Sequence, residues 1–256
     1  MSSSADASAA RYDGLGAAEL AALLDVPRVE LFASATSTLD IANAIGATAP
    51  AGTLVLADEQ TAGRGRLGRA WTSERGAGIW LTLVEHPDEP LALEVLSLRC
   101  GLYAAEALDA LAVARIGVKW PNDLYVRGRK LAGVLIETRW RGTSPEWVSI
   151  GFGLNVAQPP LDGATGLTRG TTRRDALVRL VPALRRAALA TGLLTDDELT
   201  RWSARDVARG RLIDTPSAGT VAGISARGEL LVRGPDDVET AHRSGTLTFA
   251  EPLACS

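Results

Sequence analysis

Val118-Lys119-Trp120-Pro121-Asn122-Asp123-Leu124-Tyr125-Val126-Arg127-Gly128-Arg129-Lys130-Leu131 is the stretch on which the fold turns. Residues 118–120 and 124–126 are short β-prone runs on either side of Pro121-Asn122-Asp123, a turn composition. Arg127-Gly128-Arg129 reverses the chain again, and 131–140 returns as a strand. Residues 147–156 pair with that strand through Arg141-Gly142-Thr143-Ser144-Pro145. Strands joined by turns this short must run antiparallel, because a parallel return needs a long crossover. Much of the sheet is therefore expected to be antiparallel.

The same stretch holds the chain's two lysines, Lys119 and Lys130. Lys and Arg total 27, so the remaining 25 basic residues are arginines. Arginine is used wherever a generic positive charge will do. Lysine is kept where a compact, flexible ammonium is needed in place of a wide planar fork. Two such survivors within one short run mark it as chemistry.

Outward from this run, the small polar residues of 1–14 predict a disordered tail, and 17–24 a short helix. Residues 29–33 read as a strand. A helix then runs to Ala47, with Ser37 or Thr38 near its cap. Residues 53–58 and 78–84 are apolar and β-prone, and the Gly/Arg-rich loop 60–76 lies between them. Residues 91–111 are Ala/Leu-rich, with apolar positions at three- and four-residue steps, and predict one long helix. Helices are also expected over 173–190 and 196–205. From about Arg209 the texture changes to short β pieces (211–213, 220–225, 230–232, 246–249) between Gly, Pro and Asp turns. They suggest a small all-β module of about 45–50 residues, a size at which a barrel is marginal unless docked. The expected division is a tail with a short helix over 1–28, a catalytic domain over 29–207 and a C-terminal domain over 208–256.

Composition narrows the function classes. The 256 residues carry a net charge of −3, 22% charged and 46% hydrophobic residues, and a mean hydropathy of +0.08. That suits a folded core and gives no basic footprint for nucleic acid. Cys100, Cys255, His86 and His242 stand apart from one another, which argues against a His/Cys metal site or a histidine-based triad. The first residues lack the basic and apolar segments of a signal peptide, and no run of 18 apolar residues predicts a membrane span. A reducing cytoplasm is the expected compartment.

The loop Gln60-Thr61-Ala62-Gly63-Arg64-Gly65-Arg66-Leu67-Gly68-Arg69-Ala70-Trp71 contains a literal G-x-G-x-x-G. A dinucleotide site needs a helix to start at those glycines, and here another strand follows. The chemistry is legible all the same. Three arginine forks alternate with glycines that let backbone N–H groups approach an anion, so the loop suits a polyanionic ligand that it orders around. A single-stranded nucleic-acid site would interleave aromatics, and only Trp71 qualifies.

Four motifs now stand in order: Gly63 to Trp71; Lys119-Trp120-Pro121-Asn122-Asp123; Lys130-Leu131-Ala132-Gly133-Val134-Leu135-Ile136-Glu137; and Gly151-Phe152-Gly153-Leu154-Asn155-Val156. Together they resemble the motifs of biotin–protein ligases, over roughly residues 30–156. More loosely, the C-terminal β module resembles that family's small SH3-like domain. The resemblance implies an α+β fold, a central, largely antiparallel mixed sheet flanked by helices and related to class II aminoacyl-tRNA synthetases, and a two-step reaction. Biotin and ATP give biotinyl-5′-AMP, and a lysine of a biotin carboxyl carrier domain then takes the biotinyl group. The substrates implied are biotin and ATP, with Mg²⁺ accompanying the nucleotide.

The resemblance also assigns residues. Ser37, Thr38 and Gln60 match polar contacts to the biotin head, whose ureido group needs both donors and acceptors. Gly63, Arg64, Gly133 and Gly151 match positions that shape the biotin pocket. Arg66 and Arg69 match loop arginines around the phosphates, and Trp71 closes that motif. Lys130 matches the lysine between the biotin carboxylate and the α-phosphate. Lys119, Asn122 and Asp123 match nucleotide and acceptor-lysine contacts. Asp123 either helps to deprotonate the acceptor amine or holds Mg²⁺ through water. Leu154 and Asn155 match strand-end positions facing adenine, and Phe152 reads as core. Where the family has Ser-Thr-Asn this chain has Ser37-Thr38-Leu39, so one biotin contact is lost or replaced. The segment before the first strand is too short for a winged helix-turn-helix, which favours a monofunctional ligase that does not bind DNA. Two rivals remain. A lipoate ligase or octanoyltransferase would carry a His-bearing or catalytic-Cys motif near the first strands. A biotin-sensing regulator would need no turnover.

Overall fold

The computed structural model describes residues 10–253. Helix α1 (Ala17–Leu24) leads into strand β1 (Val29–Phe32), and α2 (Thr38–Ile45) connects it to the parallel strand β2 (Thr53–Ala57). Strand β3 (Gly78–Glu85) follows, then helices α3 (Pro90–Leu93) and α4 (Leu96–Leu108). The meander is β4 (Gly117–Lys119), β5 (Asp123–Val126), β6 (Arg129–Arg141) and β7 (Ser144–Asn155). These strands form a seven-stranded sheet of order β1-β2-β3-β7-β6-β5-β4, antiparallel except for the β1–β2 pair. The α+β expectation holds.

Strand parity divides the sheet into two faces. Leu54, Leu56, Leu81 and Leu83 point to one face and join the main core. There they meet α4, α5 (Arg173–Leu189) and α1. Val55 and Val84 point to the other face and pack with Ala42 of α2. Among the described residues α2 is the one helix on that second face, so the centre of the sheet beside the start of α2 is left to loops and a cavity. Helix α6 (Asp196–Ser203) is joined to α4 through a buried ion pair, with Arg99 Nε 2.7 Å from Glu198 Oε1.

Two expectations are corrected. The helix predicted over 91–111 is broken. Val95 leaves helical geometry (φ −114°, ψ 3°), and the last three residues form a 3₁₀ turn, Asp109–Leu111. Val95 and Leu98 press against Gly228, where an added Cβ would lie 2.5 Å from Leu98 Cδ1. Tertiary packing overrides a uniformly good helix propensity. The expected tail lies partly outside the described residues, at 1–9, but 10–14 are anchored. Tyr12 is buried, its hydroxyl donates to the Gly78 carbonyl at 3.1 Å, and the Arg173 guanidinium stacks 3.9 Å from its ring centroid. Arg173 also pairs with Asp13 and Asp58. This pinning gathers chain separated by more than 150 residues, which a local reading of small polar residues does not register.

Beyond α6, strands β8 (Leu212–Thr215), β9 (Gly219–Ile224), β10 (Leu230–Arg233), β11 (Glu239–His242) and β12 (Thr248–Phe249) form an antiparallel sheet of order β11-β10-β9-β8-β12. Strand β11 has no counterpart among the sequence expectations, because Glu-Thr-Ala-His is almost wholly exposed and lacks apolar alternation. The small sheet is docked. Ile213, Val221, Leu230, Val232 and Leu247 share one continuous core with the large sheet, and Trp120 Nε1 donates to the Gly228 carbonyl at 3.0 Å.

Candidate active site

The open centre of the large sheet carries a row of residues in cross-strand register: Trp80, Gly153, Gly133 and Asp123. A parallel row reads Thr82, Gly151, Leu135. The glycines make room. A Cβ on Gly153 would stand 2.5 Å from Trp71 Cε2, and one on Gly151 would stand 2.8 Å from Leu39 Cδ1. Trp71 therefore lies flat on a glycine floor, and Leu39 occupies the space above Gly151.

One end of the cavity is neutral and polar. Ser37 is the N-cap of α2 but makes no capping hydrogen bond. Its hydroxyl thus remains available to the cavity it lines. Gln60 Oε1 accepts from Thr38 N at 2.9 Å and from Thr38 Oγ1 at 3.2 Å. Gln60 Nε2 donates to Ser73 Oγ at 2.9 Å, and Thr82 Oγ1 donates to Thr38 Oγ1 at 2.9 Å. This network fixes the orientation of each donor and acceptor before any ligand arrives.

The other end is cationic. Arg66, Arg69, Lys119 and Lys130 line it, and Asp123 is the one carboxylate lining the cavity among the described residues. Lys130 Nζ lies 2.7 Å from Asp123 Oδ1 and 5.1 Å from the centroid of Trp71. A β-bulge puts Lys130 there. The β5–β6 register shifts between Leu124 and Tyr125, so Leu131 and Ala132 are both fully buried. The irregularity keeps Lys130 on the cavity side, as bulges do when they re-aim a side chain. Arg66 Nη1 reaches Asn122 Oδ1 at 3.5 Å, and Asn122 Nδ2 donates to the Val134 carbonyl at 2.6 Å. Burial pulls the Arg66 guanidinium below its usual pKa, with Asp123 opposing. Burial also lowers the Lys119 ammonium. Asp123 counteracts this, and the positive charges of Lys130 and Arg69 add to it. The cluster is thus charged, crowded and short of counter-charge, which is the condition for taking up an anion.

The loop over the cavity is folded back on itself, with Gly65 N donating to Arg69 O at 2.7 Å and Trp71 N to Gly63 O at 2.9 Å. A 3₁₀ turn, Arg66–Gly68, forms its tip. Leu67 sits there with φ +57°, in a conformation that L-residues rarely adopt, and is 75% exposed.

Ser37, Thr38, Gln60, Arg64, Arg66, Arg69, Trp71, Lys119, Asn122, Asp123, Lys130, Gly133 and Gly151 all line this one cavity. Three predicted residues do not. Gly63 sits behind it, and its missing Cβ lets Trp71 O and Gln60 Nε2 approach. Leu154 turns its side chain into the core, as parity demands next to Gly153, so a ligand can meet only its backbone. Asn155 is nearly buried, donating to the Thr165 carbonyl at 3.2 Å. Arg64 is turned towards α2, 2.7 Å from Asp40 and 3.8 Å from Glu137. It ties the loop to that helix, with Asp40 following the atypical Leu39. Phe152, read as core, is buried and also touches the cavity. Residues missed by sequence reasoning include Gly153 and the segment Gly245-Thr246-Leu247, which closes the cavity from the small sheet, and Thr82, which stands behind the cavity and holds Thr38. The alternation Gly151-x-Gly153 in a strand is a readable signal. For 245–247 there is none.

The chain is similar to known proteins. The model of the biotin/lipoate A/B protein ligase family matches residues 31–155. The biotin–[acetyl-CoA-carboxylase] ligase of Paracoccus denitrificans is 37% identical over 202 residues, covering 71% of this chain and 84% of that protein. The bifunctional ligase/repressor BirA of Bacillus subtilis is 42% identical over 115 residues, 44% of this chain. The match spans only 35% of that protein's length. Among solved structures, a biotin protein ligase from Aquifex aeolicus in complex with biotin and ATP superposes with a TM-score of 0.72 at 24% identity. The superposition covers 86% of this chain and 97% of the other, a likeness of fold.

Proposed function

The chain belongs to the biotin/lipoate A/B protein ligase family, and from that premise we propose that it joins biotin to a carrier-domain lysine at the expense of ATP. The observation that carries this reading is a single cavity with a neutral donor–acceptor end, Ser37, Thr38 and Gln60, and a cationic end, Arg66, Arg69 and Lys119. Lys130 stands between the two. A molecule that is an uncharged ureido ring at one end and a carboxylate at the other fits that polarity, with a nucleotide beyond it.

In the first step a biotin carboxylate oxygen attacks the α-phosphorus of ATP, and the bond to the β-phosphate's bridging oxygen breaks. Pyrophosphate leaves and biotinyl-5′-AMP remains. Two anions must meet, so a cation held between them offsets their repulsion and the charge that develops in the transition state. Lys130 takes this role, releasing Asp123 as it turns to the phosphate. In the second step a neutral lysine amine attacks the biotinyl carbonyl and AMP departs. Asp123 receives the amine's proton. Asp123 is the one carboxylate lining this cavity among the described residues, and one carboxylate beside substrate phosphates and waters suits a Mg²⁺ that arrives with the nucleotide, not a cage built by the protein alone. Asp123 would hold that ion through water. The acceptor assigned by this reading is the biotin carboxyl carrier domain of a carboxylase, and the compartment is the cytoplasm. No helix among the described residues is long and apolar enough to cross a membrane.

The test is isotope exchange between pyrophosphate and ATP. Exchange that requires biotin, followed by transfer of label to a carrier domain, supports the proposal. Exchange driven by lipoate or octanoate and not by biotin replaces it with lipoyl or octanoyl transfer, and no exchange with any acid leaves only a binding role.

A further inference from the structure

Three consecutive residues, Val118 and the first two of the second motif, are each held by the C-terminal part of the chain. Val118 N donates to the Arg205 carbonyl at 2.9 Å, and Val207 N donates back to the Val118 carbonyl at 3.0 Å. Trp120 Nε1 donates to the Gly228 carbonyl. Between them, Lys119 Nζ lies 5.3 Å from the ring centroid of Phe249 on β12 and 5.5 Å from that of Tyr125 on β5. One ring comes from each sheet, with the ammonium between them.

We propose that Phe249 is a positioning residue for Lys119, so that the small sheet sets the geometry of the nucleotide end of the cavity. The proposal rests on the ligase reading given above. Lys119 ends β4, a three-residue edge strand, and its long stem has much rotamer freedom to lose. Asp123, engaged by Lys130, attracts it, and the like charges of Lys130 and Arg69 repel it. A carboxylate could hold it in place, but would also repel incoming phosphates. An aromatic face attracts a cation without cancelling its charge. Tyr125 supplies one such face and Phe249 the other, so the ammonium is held but stays available to an anion. Loss of one face frees the side chain and leaves the charge where it was.

Having only two lysines makes the test direct. Reductive methylation with ¹³C-formaldehyde gives one side-chain NMR signal each for Lys119 and Lys130. In the Phe249→Leu variant the Lys119 signal is expected to lose its ring-current displacement, with that of Lys130 unmoved. In unmethylated enzyme the KM for ATP should rise about three- to fivefold, the factor set by one cation–π contact. The KM for biotin and kcat should stay within about twofold, and Phe249→Trp should restore the ATP value if a ring is what matters. An unmoved Lys119 signal in Phe249→Leu overturns the proposal. So does a parallel rise in both KM values, or an equal defect in Phe249→Trp, since either would mean simple damage to the sheet. If the wild type shows no biotin-dependent exchange, the ligase reading falls, and the Lys119 signal alone decides the clamp.

Discussion

Lys130 is held between a carboxylate and an indole, where a planar fork would have to displace one of them. Its ammonium sits 2.7 Å from Asp123 Oδ1 and 5.1 Å from the Trp71 ring centroid. Lys130→Arg should therefore lower adenylate formation by about 100-fold or more, with the circular dichroism spectrum and melting temperature unchanged. Pyrophosphate release near the wild-type rate from a folded variant would rule the assignment out. A second residue makes stability depend on pH. Asp206 is buried at the entrance to the small sheet, and burial pushes its carboxyl from 3.8 up to about 6, against the opposing Ala208 amide and the Arg209 charge. Its Oδ2 has no hydrogen-bond partner. Between those two values the folded protein holds a proton that the unfolded chain has lost. This group's contribution to stability is thus present below pH 4 and lost as pH rises through 6. Thermal melts of Asp206→Asn, which keeps an oxygen for the Ala208 N–H, should lack that decline. Parallel melting curves for variant and wild type over this window would refute the shift.

Among the elements, the loop of residues 60–76 separates two tasks. Arg66 approaches Asn122 at its tip, while Lys130 lies on a strand beneath. Removing the arginine is expected to weaken retention of an adenylate more than it hampers the step that makes it. Arg66→Gly should still form biotinyl-AMP but release it, since charge-assisted hydrogen bonds from the loop are the grip that is lost. Biotin should then appear on lysines of an added unrelated protein, and no increase over wild type would contradict the retention role. This loop also marks how far sequence reaches. Residues 117–155 are legible as a meander because Pro121-Asn122-Asp123, Gly128 and Gly142 interrupt β-prone runs at hairpin spacing. The motif residues around the cavity are legible because Arg, Gly and Lys are placed with evident chemical purpose. The bulge that turns Lys130 inward is not legible, since it comes from a mismatch between two strands and not from either alone. Trp71 resting on Gly133 and Gly153, Phe249 reaching Lys119, and Tyr12 under Arg173 are likewise contacts across long sequence separations. Leu154 is a different case. Its neighbours Gly151 and Gly153 face the cavity, and strand alternation by itself turns Leu154 away.

At the scale of the molecule, the two sheets share one hydrophobic core and the joint at Val118 to Trp120. The small sheet buries too little by itself to be stable, so the chain should unfold in a single calorimetric transition. Two resolved transitions would show that the sheets are independent. Leu247, buried between them and lining the cavity, should cost about 2–5 kcal/mol when cut to alanine, a loss read from the denaturation midpoint of the whole chain. The placement of the basic residues has a chemical consequence of its own. A mixed acid anhydride that escapes its maker meets that protein's surface first. Here the surface carries guanidinium groups, which stay protonated and do not acylate, and both side-chain amines, Lys119 and Lys130, lie inside the cavity. The side chains of the exterior thus offer no amine to the adenylate of the proposed reaction, and the α-amino group is the one amine left outside the cavity. After long turnover without an acceptor, intact-mass measurement should find no biotinyl adduct on any side chain outside the cavity.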